Sequence, residues 1–340
     1  MACSDAPPAA KVRRFATDIP LPPGVFLRHL QAPDDYRAMN AIANAIRAAE
    51  GNEFYSTDEQ FASAYDTMTE SDPAQDVVIV EVDGRMVGYG RAGWREEVGG
   101  LRVYDVNPLV DAADEAVFTT VIDALEARIR VIAAGHPPGE KVLQAYVGAT
   151  GPKRDALLLR AGYEPVRFSY VMIRPSLDDL PDASLPLGLE IREVLPEHLP
   201  PIWAADQEAF RDHWGNTPGT DADYEQFLND PVTNDTSLWR VAWDGDEVAG
   251  QVRSYISSEE NERFGRRRAY TENISVRRPW RRRGLARALI AASFPLLRAR
   301  GMTEAALGVD AENTSGALRV YEACGFKPVS RSTRYRKPLA

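Results

Sequence analysis

The chain has 340 residues, 44% of them hydrophobic and 26% charged, with a formal net charge of −10. That length suits two domains of about 100–200 residues, each able to bury its own core. The acidic balance excludes a dedicated nucleic-acid binder, and apolar runs such as Val77–Val82 fall far short of the roughly 18 residues a membrane helix needs.

Only two cysteines are present, Cys3 and Cys324, which excludes a disulfide framework and predicts a reducing, cytoplasmic setting. His29, His136, His198 and His213 show no metal-ligand spacing with them, so no metal is expected. Residues 1–23 carry Pro7, Pro8, Pro20, Pro22 and Pro23, lack the apolar core of a secretory signal, and are expected to form a disordered lead-in.

From residue 24 the chain follows one plan twice. A short strand at 25–28 precedes a helical region and a hairpin over 77–88, where Asp83-Gly84 separates alternating apolar runs. A strand follows at 103–108, then Asp111, Asp114 and Glu115 at a turn and helix start, and the unit closes on Gly162-Tyr163-Glu164-Pro165-Val166. Residues 176–188 have a linker composition rich in Pro, Asp, Ser and Leu. The plan then restarts at Leu189-Glu190-Ile191-Arg192, repeats the hairpin around Asp244-Gly245, and closes on Gly325-Phe326-Lys327-Pro328-Val329. The landmarks recur at a near-constant offset, which predicts a tandem duplication with domains at 24–175 and 189–340. The element order is strand, helices, hairpin, strand, long helix, strand, helix, strand. It predicts two α/β domains, each a twisted mixed sheet flanked by helices, with helical crossovers between the late parallel strands.

The segment from 270 to 290 carries the chemistry. Residues 270–276 alternate as a strand should, and Arg277, Arg278, Arg281, Arg282, Arg283 and Arg287 make a dense basic patch. Gly284 then opens a helix whose apolar face is Leu285, Leu289, Ala292 and Leu296; Pro295 should kink or shorten it. A strand, a basic turn and a helix N-terminus together suit an anion, because unpaired N–H groups and the helix dipole favour negative charge. The competing reading is a solvated basic loop before an ordinary surface helix.

Arg281-x-x-Gly284-x-Ala286 resembles the pyrophosphate-binding signature of the GNAT superfamily of acyl-CoA-dependent N-acyltransferases, and Tyr321 four residues before Gly325-Phe326 looks like that family's last helix. The resemblance implies that acetyl-CoA, or another acyl-CoA, is the co-substrate. It further implies that the amides of Arg282, Arg283, Gly284, Leu285 and Ala286, beside Arg281, cradle the pyrophosphate. By the same carry-over the strand at Ile274, Ser275 and Val276 pairs with the pantetheine arm, Asn313 contacts the coenzyme, and Tyr321 protonates the departing thiolate. The chain has one residue more than usual between Asn313 and Tyr321, which leaves Thr314 or Ser315 as alternative helix caps.

Acyl transfer to an amine also needs a group to take the proton of the nucleophile. Glu272 is the candidate base, placed by strand alternation on one face with Tyr270, Ile274 and Val276; the competing reading is a surface carboxylate. Asp212, His213 and Trp214 are acceptor-side candidates, or simply helix-end packing. The first half fails the same test: Asp111, Asp114 and Glu115 stand where a diphosphate would sit, and Leu158 takes the place of Tyr321. The expected function is acetyl transfer from acetyl-CoA to a primary amine of a small molecule in a ternary complex, with a non-catalytic acyl-CoA sensor or scaffold as the alternative. No nucleic-acid or membrane partner is expected.

Overall fold

The structure is a computed structural model that describes residues 13–15, 18–66, 68, 71–148, 151–179, 183–230, 232–313 and 316–339. The first half runs β1 (Val25–His29), α1 (Tyr36–Ala49), α2 (Asp58–Asp66), α3 (Pro73–Asp76), β2 (Val77–Val82), β3 (Arg85–Glu96), β4 (Arg102–Leu109), α4 (Glu115–Ala134), β5 (Lys141–Val147), α5 (Pro152–Arg160) and β6 (Glu164–Arg174). The second half repeats it with β7 (Glu190–Arg192), α6 (Leu199–Phe210), α7 (Asp221–Asn229), β8 (Trp239–Asp244), β9 (Glu247–Tyr255), α8 (Ser258–Arg263), β10 (Arg268–Val276), α9 (Leu285–Ala299), β11 (Glu304–Asp310), α10 (Ala317–Ala323) and β12 (Lys327–Pro338).

Local chemistry accounts for the turns. Asp83 and Gly84 both adopt positive φ, 50° and 76°, which lets a two-residue loop match the twist of β2 and β3. The parallel pairs β4–β5 and β10–β11 are each bridged by a long helix, α4 and α9, as parallel neighbours require. Helix α9 continues through Pro295 to Ala299 instead of stopping early; Leu285, Leu289, Phe294 and Leu297 are buried and hold it in place, while Ala292 and Leu296 of the expected face are only half-buried.

Strand pairing joins the halves into one 12-stranded sheet, in the order β1-β2-β3-β4-β5-β12-β6-β11-β10-β9-β8-β7. Each half gives its last strand to the other: β12 pairs with β5, β6 pairs with β11, and the two exchanged strands pair with each other. The cores follow the exchange. Met172 of β6 packs in the second-half core, and Tyr335 of β12 in the first-half core. Full burial of a side chain such as Met172 contributes roughly 1.5–3 kcal/mol, so the exchange ties the halves together energetically as well as topologically.

Of the lead-in, residues 1–12, 16 and 17 lie outside the described ones, and Cys3 with them. Arg14 makes an isolated bridge to Arg28 and Phe15 is buried in the first-half core, because an aromatic side chain finds apolar cover at the edge of β1.

Candidate functional site

Strands β10 and β11 separate where the sequence turns from core to chemistry. Their parallel pairing ends at Tyr270 and Ala306. On its other edge β10 bulges against β9: Glu272 faces Arg253, but Ser275 faces Gln251, with Asn273 at φ 48° between them. The extra residue resets alternation. Glu272 therefore shares its face with Ser275, and Val276 lies on the opposite one, which corrects the uninterrupted alternation expected over 270–276. Beyond Tyr270 the backbone of β10 has no strand partner on the β11 side among the described residues, so an extended ligand can complete it.

The carboxylate of Glu272 spans the gap and accepts a hydrogen bond from the backbone N–H of Gly308 at 2.7 Å. Enclosure by protein pushes its pKa up to about 7, against the opposing pull of that N–H. No lysine or arginine pairs with Glu272 among the described residues, so it is poised to exchange a proton near neutrality. Tyr321, on α10, is buried and lines the same cavity; burial and the negative charge of Glu272 raise the pKa of its phenol, which keeps it protonated. Gly325 ends this turn at φ 82°, the left-handed value a helix terminus favours, and its chain neighbour Phe326 holds Tyr321 edge-on at 6.4 Å. Asn313 lines the cavity, while Thr314 and Ser315 lie outside the described residues.

Past Val276 the chain makes the basic loop and enters α9. Gly284 is the N-cap at φ 82°, and no side chain among the described residues caps the helix. Its first N–H groups thus lack the internal partner that Ser, Thr or Asp usually supplies. A Cβ at Gly284 would meet nothing within 4 Å, so glycine serves conformation here, and the space above the helix start is open. Arg282 is exposed at φ 59°; Leu285 is buried, so only its backbone is available to a ligand, and Ala286 is half-buried.

Most of the arginines have other work. Arg281 donates to the carbonyls of Val276 at 2.9 Å and Ala209 at 3.0 Å, locking the loop to the strand end and to α6. Arg277 pairs with Glu208 at 2.7 Å, Arg278 with Asp212, and Arg283 reaches the carbonyl of Leu187 at 3.4 Å. Asp212 therefore points to the basic loop, whereas His213 and Trp214 line the cavity that holds Glu272. Burial lowers the pKa of His213.

That cavity has a volume of about 850 Å³ and lies where the halves meet. Glu272, Ile274 and Tyr321 line it from the second half, Asp105 and Gln144 from the first, and Arg334 from the exchanged β12. Gln144 links the walls, donating to Asp105 at 3.1 Å and accepting from Arg336 at 3.0 Å. Sequence reasoning missed these first-half and β12 residues. They are scattered along the chain and assembled only by the strand exchange, and no local pattern marks them.

The corresponding places in the first half are filled from within. Asp111 accepts from the N–H of Ala113 at 2.8 Å, and Asp114 caps α4 by accepting from Val117 at 3.1 Å. Strand β4 pairs with β3 to Leu109 without a bulge. Arg154 donates to the carbonyl of Pro108 at 2.8 Å and pairs with Glu50 at 2.9 Å, both beside the end of β4. Leu158 is buried in the core.

Residues 199–326 match the profile of the Acetyltransferase (GNAT) family. The chain is 27% identical to a mycothiol acetyltransferase of Salinispora arenicola (strain CNS-205), over 78% of this chain and 82% of that protein. It is 28% identical to a mycothiol acetyltransferase of Clavibacter michiganensis subsp. michiganensis, over 90% and 92%. Among solved structures it resembles a GCN5-related N-acetyltransferase from Sphaerobacter thermophilus, with a TM-score of 0.72 and 25% identity over 94% of this chain and 97% of that one.

Proposed function

We propose that the chain is an N-acetyltransferase of the GNAT family with a tandem layout, and that its second half transfers acetyl from acetyl-CoA to a primary amine of a small molecule by direct attack in a ternary complex. One observation carries the reading: Glu272, without a cationic partner and with a pKa near 7, lines one cavity with Tyr321 at the point where β10 and β11 part. The uncapped start of α9 suits the coenzyme's diphosphate, with Arg282 to Ala286 contributing backbone N–H groups and Arg281 holding the loop in shape. The open edge at Ile274, Ser275 and Val276 suits the pantetheine arm, and Asn313 the coenzyme beyond it.

Glu272 takes the proton that the attacking amine must lose, directly or through water, because an ammonium has no lone pair. The nitrogen adds to the thioester carbonyl, the carbon–sulfur bond breaks, and the Tyr321 hydroxyl supplies the proton for the departing thiolate. The first half, at 24–175, binds no acyl-CoA and serves as a wall of the acceptor cavity, joined through residues 176–188 to the catalytic unit at 189–340. The mycothiol acetyltransferase relatives support a polar, small-molecule acceptor.

The deciding experiment is a screen of primary amines with acetyl-CoA, following free thiol. Amine-dependent thiol release that collapses in Tyr321→Phe is expected. Tight coenzyme binding with no thiol release across the panel overturns the proposal in favour of an acyl-CoA sensor.

A further inference from the structure

The charges lining the large cavity do not all have partners. Arg95 pairs with Asp105, and Arg167 with Asp310 at 2.6 Å. Two charged side chains of the lining are left over. Glu272 has no cation, and Arg334 has no carboxylate at ion-pair distance among the described residues. Arg334 is half-buried, and its Nη1 donates to the Ser169 hydroxyl at 3.3 Å, which leaves most of its five donors uncommitted.

Register sets Arg334 directly opposite Arg167 on β6, but Asp310 and Glu312 already meet the charge of Arg167 and leave none for Arg334. Trp214 gathers Arg167 at 5.5 Å, Arg334 at 6.0 Å and Arg336 at 4.2 Å around one indole; Arg336 is neutralised by Glu97 and Arg167 by Asp310 and Glu312, which leaves Arg334. An anion beside Arg334 supplies the partner it lacks, and a planar carboxylate matches the guanidinium fork.

We propose that Arg334 determines acceptor specificity by binding a carboxylate carried by the acceptor, so that the substrate class is primary amines bearing a carboxylate, with the amine directed to Glu272. The cavity then complements both ends of one molecule: a carboxylate without a cation receives the amine, and a guanidinium whose carboxylate neighbour, Asp105, is held by Arg95 receives the acid. A volume of about 850 Å³ leaves ample room for such an acceptor beside the acyl group. Arg334 is placed by β12, so the strand exchange itself supplies the specificity element.

The inference rests on the acetyl-transfer reading, and its test separates the two. Initial rates with acetyl-CoA are compared for ω-aminocarboxylates of increasing length and for alkylamines of the same length. The wild type should prefer the carboxylate member at least about tenfold in kcat/KM at one or more lengths, through KM. Arg334→Gln should erase that preference by raising KM for the carboxylate member, and Arg334→Lys should restore part of it. Matched melting temperatures and acetyl-CoA Kd values identify folded variants. A wild-type preference for the uncharged members, or a preference that survives Arg334→Gln, overturns the proposal. If no amine is acetylated, the function reading fails on its own. Calorimetric titration of 4-aminobutyrate against butylamine, with coenzyme A present, then decides for Arg334: equal or absent binding of the two by the wild type sinks it.

Discussion

At the end of β10 the backbone bulges at Asn273 and parts from β11, whereas β4 runs in unbroken register to Leu109 and its carbonyl at Pro108 is taken up by Arg154. Helix α9 opens on a left-handed glycine with no side-chain cap; α4 opens on Asp111 and Asp114, each already holding a backbone N–H. Counting back from the Gly that ends each last helix, Arg154 stands where the second half has Ala317, and Leu158 where it has Tyr321. The difference is one of local supply: in the first half Asp111 and Asp114 take up N–H groups at the helix start and Arg154 takes up the carbonyl of Pro108, where the second half leaves its helix start without a side-chain cap among the described residues.

The largest expected effect tests the Tyr321 side of that comparison. Tyr321→Phe removes one proton donor and leaves the packing against Phe326 intact, so kcat should fall roughly 10²-fold or more while the acetyl-CoA Kd stays within about a factor of two. A variant that turns over like the wild type at every pH removes Tyr321 from the chemistry.

Next in size is a transplant. Gly284→Asp brings the first half's acid to the second half's helix start. It combines left-handed strain with a carboxylate beside the diphosphate, and should weaken acetyl-CoA at least tenfold. Calorimetry on the wild type should give one acetyl-CoA per chain. A second equivalent bound at 108–116 would falsify the filled-cradle reading of the first half.

Glu272→Gln comes third. With the carboxyl's pKa near 7, the wild-type rate should climb with pH through neutrality as the base ionises. The amide keeps an acceptor for the N–H of Gly308 but takes no proton, so the limb should flatten and the rate near pH 7.5 should drop about tenfold. Profiles that superimpose would move the base elsewhere in the cavity.

Much of this was legible beforehand, and the gaps have physical reasons. The repeated landmarks gave the two-unit plan, and Asp83-Gly84, Gly284 and Gly325 occupy the positive-φ positions their contexts demand. The strand exchange was not legible, because β6 and β12 close their units alike and nothing in either strand names its partner. The bulge at Asn273 was hidden for a related reason: alternation counts residues, and a bulge adds one without altering composition. Side-chain destinations were equally opaque. Arg281 belongs to the loop motif but spends its guanidinium on the carbonyls of Val276 and Ala209, and Asp212 leaves the neighbouring His213 and Trp214 to pair with Arg278.

The smallest effect compares two carboxylates at the partings of β4–β5 and β10–β11. Burial raises the pKa of both, but Asp105 has Arg95 beside it and Glu272 has no cation. Folded Glu272 keeps its proton up to about pH 7, while the unfolded chain releases it near the ordinary carboxyl value of 4.5. Over that window the folded state binds more protons, so this group's contribution to stability falls as pH rises, and the loss persists in full above pH 7. Glu272→Gln should therefore melt close to the wild type at pH 4.5 and about 2 °C or more above it at pH 8. Asp105→Asn should gain less than Glu272→Gln at pH 8: the raised pKa of Asp105 gives its contribution the same sign, but the change also strips Arg95 of its ion-pair partner and weakens the anchor of Gln144. A smaller gain at Asp105 than at Glu272 means that one half spends its half-buried carboxylate on structure and the other holds it in reserve for a proton; equal gains would erase that distinction.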